Sequence, residues 1–201
     1  MSLPKIALVL YPQFSPFHIS VPWMAFGTAC LPEKPLFEML LLSQDGKPAL
    51  AERAMQVTPD GGLERLDEVD MVIVPGWHDL NEPPSAELAA GLRRAYTRGA
   101  SVVGLCYGAY ALAYVGLLDG KRASTHWMAE EDFCQRFPLV ELDTNALYVD
   151  ADGLVTSAGT AAGLDCCLHL IRHFYGAETA NRVARVMGVP PHREGGQAQF
   201  I

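Results

Sequence analysis

Four short, predominantly apolar runs constrain the fold of this chain more than any other feature. They are Lys5–Leu10, Phe37–Leu42, Met71–Val74 and Ser101–Leu105. A strand with one solvent-exposed face alternates between apolar and polar residues. These runs are instead apolar on both faces, as in a parallel sheet that is covered by helices on each side. The sequence therefore predicts an α/β protein.

The segment Ser85–Arg98, between the last two runs, has the features of a crossover helix. Ser85 can cap its start, and Leu88 and Leu92 repeat at helical spacing before Gly99. Strand, helix and strand in this order predict a right-handed βαβ unit and a doubly wound sheet. Further helices are predicted at Phe17–Gly27, Ala109–Val115, Met128–Phe137, Thr160–Tyr175 and Ala177–Met187, with a hairpin of Ala146–Asp150 and Leu154–Ser157. We expect a three-layer sandwich around a mostly parallel, flavodoxin-like sheet.

Length and composition narrow the class of protein further. With 201 residues, half of them hydrophobic, one domain is expected. The net charge of −8 and the lack of Lys/Arg runs argue against direct binding to a nucleic-acid backbone, which needs clustered cations. No run has membrane-spanning length, and no secretion signal is evident. The chain has an odd number of cysteines without C-x-x-C spacing, which suits a reducing compartment. We therefore expect a cytoplasmic protein, and the lack of a membrane-spanning run predicts no membrane partner. These cysteines are Cys30, Cys106, Cys134, Cys166 and Cys167.

The most specific motif is Gly104-Leu105-Cys106-Tyr107-Gly108, which lies directly between a predicted strand and a predicted helix. This is the pattern of a nucleophile elbow, in which small residues allow a strained turn to present the nucleophile at the sheet edge. We expect Cys106 to be exposed, with a pKa lowered by the helix N-terminus. The alternative is a buried, inert cysteine.

Three further residues are candidates for a site around the elbow. His126 follows the next turn and would pair with the thiol if the fold brings them together; otherwise it is a surface loop histidine. Gly76 follows a neighbouring strand and could bind an anion or carbonyl oxygen together with the Tyr107 amide. Trp77 would either crowd that position or form an aromatic wall for a ligand.

For several residues of the predicted helix Thr160–Tyr175, we expect structural roles rather than functional ones. His169 and His173 have the spacing of metal ligands, but without a third ligand we expect a solvated or packed face and no metal or cofactor. Asp165 is expected to lie near the positive end of its helix, with a pocket position as the alternative. Cys166 and Cys167 are expected to be small core residues.

Long ordered stretches of the chain resemble the ThiJ/PfpI, class I glutamine amidotransferase-like domain of AraC-type transcription regulators. The resemblance runs essentially from end to end. The stretches are residues 104–113, 116–127, 147–150, 156–165 and 189–200.

The resemblance implies that a longer regulator senses its ligand and binds DNA through different domains. Residues 1–188 would be the sensor domain, and residues 189–201 would lead toward a helix-turn-helix domain that is absent from this chain. It also implies a homodimer, a pocket at the elbow for a small, often nitrogen-containing metabolite, and DNA binding only through the missing domain.

Departures from the catalytic relatives favour a sensor over an enzyme. Met128 stands where amidotransferases have the glutamate that orients the histidine, and the segment Phe17–Val21 lacks the acid that many relatives carry. Trp77 replaces a glycine of the amidotransferase oxyanion loop. We therefore predict a non-catalytic sensor in which Cys106, Tyr107, Gly76, Trp77 and His126 contact the ligand. A corollary is that Cys106 senses oxidants or electrophiles.

The alternative is a cysteine-dependent enzyme of the same superfamily. It would be a hydrolase, an isonitrile hydratase or a glyoxalase-like lyase, with Cys106 attacking the substrate and His126 transferring protons.

Overall fold

The computed structural model describes residues 2–27, 35–191 and 193, so Cys30 and the tail 194–201 lie outside the described residues. The α-helices of the described part are α1 (Pro16–Phe26), α2 (Ala86–Thr97), α3 (Gly108–Tyr114), α4 (Glu130–Arg136) and α5 (Ala162–Met187). The strands are β1 (Lys5–Leu10), β2 (Glu38–Ser43), β3 (Ala49–Leu50), β4 (Gln56–Val57), β5 (Gly61–Gly62), β6 (Met71–Pro75), β7 (Ser101–Leu105), β8 (Arg122–Ala123), β9 (Glu141–Leu142), β10 (Tyr148–Ala151) and β11 (Leu154–Ser157).

The main sheet has seven strands in the order β10-β11-β7-β6-β1-β2-β5. Every neighbouring pair is parallel except the β10–β11 hairpin at one edge. All four apolar runs are strands of this sheet, and three of them, β1, β6 and β7, are adjacent at its centre. The prediction of a mostly parallel, flavodoxin-like sheet is confirmed.

Helices cover both faces of the sheet and create two separate cores. Val72, Val74 and Val102 point toward the core that contains α2 and α3. Their neighbours Ile73 and Val103 point the opposite way, into the core that contains α1 and α5. Since successive strand residues face opposite sides, runs apolar at every position are what two buried faces require.

The helix boundaries follow local sequence signals. The Ser85 hydroxyl accepts a hydrogen bond from the Leu88 amide at 3.2 Å, which confirms the predicted cap. Gly176, at φ 81° and ψ 171°, breaks α5 into the two predicted segments. The helix predicted at Met128–Phe137 is shorter than expected, because a 3-10 turn at Trp127–Ala129 precedes α4. Within the described residues, no helix is both long enough and apolar enough to cross a membrane.

The segment between β2 and β6, in which the sequence predicted no element, packs against the start of α1. Its strands β3 and β4 form a small hairpin around a 3-10 turn at Glu52–Ala54. The Gln13 amide donates to the Leu50 carbonyl at 2.7 Å, and the Glu52 amide donates to the Phe14 carbonyl at 3.2 Å. These bonds bring Glu52 to the sheet edge where the elbow lies.

Candidate functional site

Cys106 lies on a strained turn between β7 and α3, as the elbow motif predicts. Its φ is +53°, a value that is costly for a residue other than glycine. The flanking glycines are required, because a Cβ at Gly108 would lie 2.2 Å from the Val74 carbonyl oxygen. The Cys106 amide donates to the Ser157 carbonyl at 3.1 Å, and Thr125 Oγ1 donates to the Cys106 carbonyl at 2.9 Å.

The predictions that Cys106 is exposed and has a lowered pKa are both wrong. The residue is only 2% exposed. Burial raises the pKa of the thiol above its ordinary value, and hydrogen bonds from the Thr160 and Tyr107 amides offset this only in part. The seven-residue α3 does not overcome the loss of hydration. The thiol is therefore protonated at neutral pH.

His126 does not form the expected pair with the thiol. Its Nδ1 accepts a hydrogen bond from the Met128 amide of its own loop at 3.2 Å. The ring packs on Tyr107, with centroids 5.6 Å apart, and within the described residues it makes no hydrogen bond to Cys106. Partial burial lowers the pKa of the imidazole, so it is neutral near pH 7.

A cavity of about 310 Å³ lies beside the elbow. Three of the predicted ligand contacts, Gly76, Trp77 and Tyr107, line it, whereas Cys106 and His126 do not. Its wall is made by residues from the segment between β1 and α1, from α1, from the 3-10 turn, from the loop after β6 and from the elbow. The lining residues are Tyr11, Gln13, Ser15, His18, Glu52, Gly76, Trp77, His78 and Tyr107.

The lining combines a carboxylate with several aromatic rings. The Trp77 ring lies 4.9 Å from that of Tyr11, and the His78 ring stacks on Tyr11 at 5.6 Å. Glu52 supplies the negative charge, and none of the described side chains that line the cavity is a lysine or arginine. This is the chemistry of a cation-binding site.

His18 is a further polar group of this cavity. Both of its ring nitrogens are buried, and neither has a hydrogen-bond partner among the residues that the structure describes. Burial lowers the pKa of the ring, while the nearby Glu52 carboxylate acts in the opposite direction. A buried nitrogen without a partner is costly, which favours a bound molecule with a donor or acceptor at this position.

The predicted anion site at Gly76 and Tyr107 is not formed. The Gly76 amide donates to the Leu105 carbonyl at 3.0 Å, so one of its two expected donors is already committed. Trp77 Nε1 donates to the Glu82 carbonyl at 2.7 Å, which fixes the indole as a wall of the cavity. Of the two roles expected for Trp77, the aromatic wall fits.

Sequence reasoning missed Tyr11, His18, Glu52 and His78. His18 stands in the segment that was searched for an acid, but its own role went unrecognised. The acid itself comes from Glu52, in a different element, so no local pattern could reveal it. Tyr11 directly follows β1, and His78 lies three residues after the end of β6, so their positions near strand ends were the available signal.

A second cavity, of about 240 Å³, is lined by His126, whose ring contacts Tyr107. His126, Trp127, the loop 158–162 and Arg193 contribute to its lining. Asp165 lies in the first turn of α5, as expected, where it pairs with Arg193. His169 bonds Asp150 at 2.9 Å, and Cys166 and Cys167 are fully buried, so all three are packed residues as predicted.

The parallel sheet, the covering helices and the elbow at Cys106 define an α/β protein with a nucleophile-elbow site. The profile of the DJ-1/PfpI family matches residues 4–173. The chain is a member of the DJ-1/PfpI family.

Its relatives include transcription regulators and an enzyme. The chain is 35% identical over 150 residues to the HTH-type transcriptional regulator CdhR of Pseudomonas aeruginosa, covering 74% of this chain and 44% of CdhR. It is 28% identical over 181 residues to the isonitrile hydratase of Pseudomonas putida, covering 89% of this chain and 75% of the hydratase. The chain spans about half the length of the regulators that it matches.

The fold is shared with solved structures. An AraC family transcriptional regulator from Pseudomonas putida superposes with a TM-score of 0.80 at 24% identity, covering 92% of this chain and 99% of that chain. At this identity, the likeness establishes the fold.

Proposed function

We propose that this chain is the ligand-sensing part of an HTH-type transcription regulator of the cytoplasm. Residues 1–188 would form the sensor domain, and residues 189–201 would lead toward a DNA-binding domain. The family, the regulators among the relatives and the acidic surface support this assignment. With a net charge of −8, the chain itself is unsuited to binding DNA.

The burial and the raised pKa of the Cys106 thiol are the main support for our proposal that the domain binds a molecule without transforming it. Nucleophilic catalysis needs a thiolate and a base within hydrogen-bonding reach. Here the Cys106 thiol is buried and its pKa is raised, while the Nδ1 of His126 is occupied by its own loop. A well-formed cavity nevertheless lies beside the thiol.

The lining of that cavity favours a small cationic nitrogen compound as the effector. The Glu52 carboxylate supplies the charge, and the rings of Tyr11, Trp77 and Tyr107 supply the π faces on which an ammonium group can rest. A volume of about 310 Å³ suits a metabolite rather than a polymer.

A second copy of this chain is the proposed partner of an apolar face next to the cavity. Phe17, Trp23 and Met55 line one groove between α1 and the β3–β4 segment, and Met24 and Leu50 are exposed on the same elements. Each of these five side chains is about half exposed. At about 200 Å² per side chain, they expose roughly 500 Å² of apolar surface. This is close to the apolar share of the ~800 Å² that each subunit buries in a standard interface.

The alternative is an isonitrile hydratase-like enzyme. The strained φ of Cys106 and the 28% identity to the hydratase favour it. In that case the thiol would have to ionise when the substrate binds and would need a base other than His126 in its present position.

A thermal-shift comparison of choline with its uncharged isostere dimethylbutanol tests the sensor proposal. A ligand of the folded state raises the melting temperature with its concentration. We expect choline or a related ammonium compound to stabilise the protein and dimethylbutanol not to do so. Glu52→Gln should weaken ammonium binding about tenfold, or ~1.4 kcal/mol, while the control Glu178→Gln, at an exposed position on α5, should not. Equal binding of both compounds would contradict a cation site.

A further inference from the structure

The chain that follows α5 turns back and forms hydrogen bonds with residues of α5. We call residues 188–191 and 193 the C-terminal strap. Gly188, at φ 69°, ends α5, and the Val189 amide donates to the Ala184 carbonyl at 3.1 Å. Arg172 Nη2 then donates to the Pro191 carbonyl at 3.0 Å. The strap thereby reaches the start of α5, 28 residues earlier in the sequence.

Arg193 is the strongest attachment of the strap. Its Nε donates to Asp165 Oδ1 at 2.9 Å and its Nη2 to Asp165 Oδ2 at 2.5 Å, a bidentate pair. The Asp165 residue is 8% exposed. A buried carboxylate without its cation is strongly destabilising, so Arg193 and the buried end of α5 depend on each other.

The same end of α5 holds the loop that contacts the elbow. The Cys106 amide donates to the Ser157 carbonyl at 3.1 Å and to Ser157 Oγ at 3.2 Å, and Ser157 Oγ donates to the Ala158 carbonyl at 3.1 Å. The loop that begins at Ala158 and contains Thr160 leads directly into α5 at Ala162. Thr160 has an unfavourable φ of +22°, so its conformation is imposed by these surroundings. Arg193 and Thr160 also line the same cavity.

We propose that the Arg193–Asp165 pair is a latch that couples the elbow beside the ligand cavity to the direction in which the chain leaves the domain. The inference rests on the proposed function for what the latch regulates, since a regulator must carry the ligand state to the chain that follows. A change at the elbow shifts Ser157, the loop 158–161 and the start of α5, and then the carboxylate that holds Arg193.

Trypsin provides a direct readout of the latch, because it cleaves after Arg193 only when the guanidinium has left Asp165. Where opening is fast compared with cleavage, the cleavage rate follows the population of the open form. We would measure the rate of cleavage after Arg193 by mass spectrometry, with cleavage after Arg185, inside α5, as a measure of general unfolding.

Two variants test the two halves of the proposal. Asp165→Asn weakens the latch itself and should raise cleavage after Arg193 at least about tenfold. Ser157→Ala removes the hydroxyl that joins the Cys106 amide to the Ala158 carbonyl and should raise it roughly two- to tenfold, as the loss of one hydrogen bond allows. The matched control Ser20→Ala, at an exposed serine of α1, should leave the rate unchanged.

The proposal is overturned if Asp165→Asn leaves the rate unchanged, or if Ser157→Ala behaves like Ser20→Ala. It is also overturned if both variants speed cleavage after Arg185 in parallel, since the effect is then general destabilisation. No effector is needed for this test. A chain that binds no ammonium compound but shows both accelerations keeps the latch and loses the proposed effector.

Discussion

The rings of Tyr107 and His126 lie against each other, with centroids 5.6 Å apart and planes tilted by 40°. This contact separates the two cavities, because Tyr107 lines the larger one and His126 the smaller. A ligand that enters the larger cavity touches Tyr107, which directly follows the thiol. The pair therefore places the ligand, the elbow and the loop 158–162 in one contact network.

The burial of Cys106 predicts a low reactivity toward electrophiles. Iodoacetamide attacks the thiolate, and the raised pKa of the buried thiol keeps the thiolate population small at pH 7.5. The exposed Cys134 should be alkylated at least about ten times faster than Cys106. Peptide mapping after timed exposure checks this order, and a Cys106 that reacts first would revive the oxidant-sensor and enzyme hypotheses.

The same thiol predicts a loss of stability at alkaline pH. Its pKa is raised in the folded state, so the folded protein retains a proton that the unfolded chain releases above pH ~8.5. Stability from this group is complete below that pH and falls as the pH rises toward the folded pKa. Urea unfolding should show that Cys106→Ser loses less stability than the wild type between neutral and alkaline pH. Cys134→Ser should follow the wild-type curve, and parallel curves for all three proteins would contradict the prediction.

The apolar face on α1 and the β3–β4 segment predicts a dimer that one charge disrupts. Trp23, 42% exposed, would lie within the interface, and Trp23→Glu would have to bury an unpaired carboxylate there. Light scattering after size exclusion should give a dimer for the wild type and a monomer for this variant. Leu139→Glu, at a 66% exposed leucine elsewhere, should remain dimeric. A wild type that is monomeric at micromolar concentration would contradict the proposed face.

The elbow glycine Gly108 predicts a sharp difference between two glycine-to-alanine substitutions. A Cβ at Gly108 would lie 2.2 Å from the Val74 carbonyl oxygen, so Gly108→Ala should cost ~2–3 kcal/mol of unfolding free energy. A Cβ at Gly163, inside α5, meets only ordinary contacts at 3.8 Å and beyond. Chemical denaturation should place Gly163→Ala within ~1 kcal/mol of the wild type.

The fold was predictable from the sequence because its signals are local. Apolar runs, the Ser85 cap and the break at Gly176 each act within a few residues, and the elbow needs only Gly104 and Gly108 around Cys106. Their positions along the chain correspond closely to the elements of the structure.

The site was predictable only in part because it depends on tertiary contacts. The exposure of Cys106 is decided by what packs above the turn, and a helix terminus alone says nothing of that burial. Glu52 reaches the cavity through bonds between the 3-10 turn and the segment before α1. The orientation of His126 depends on its own loop, where Nδ1 accepts from Met128.

The central claim is that this domain binds a small cationic nitrogen compound and leaves it intact, and the fate of the compound tests this most directly. An ammonium compound that stabilises the protein would be incubated with the wild type and with Cys106→Ser, and then quantified by NMR. The account predicts complete recovery from both proteins and a dissociation constant that changes little on substitution. Consumption by the wild type but not by Cys106→Ser would contradict the account and identify the protein as an enzyme.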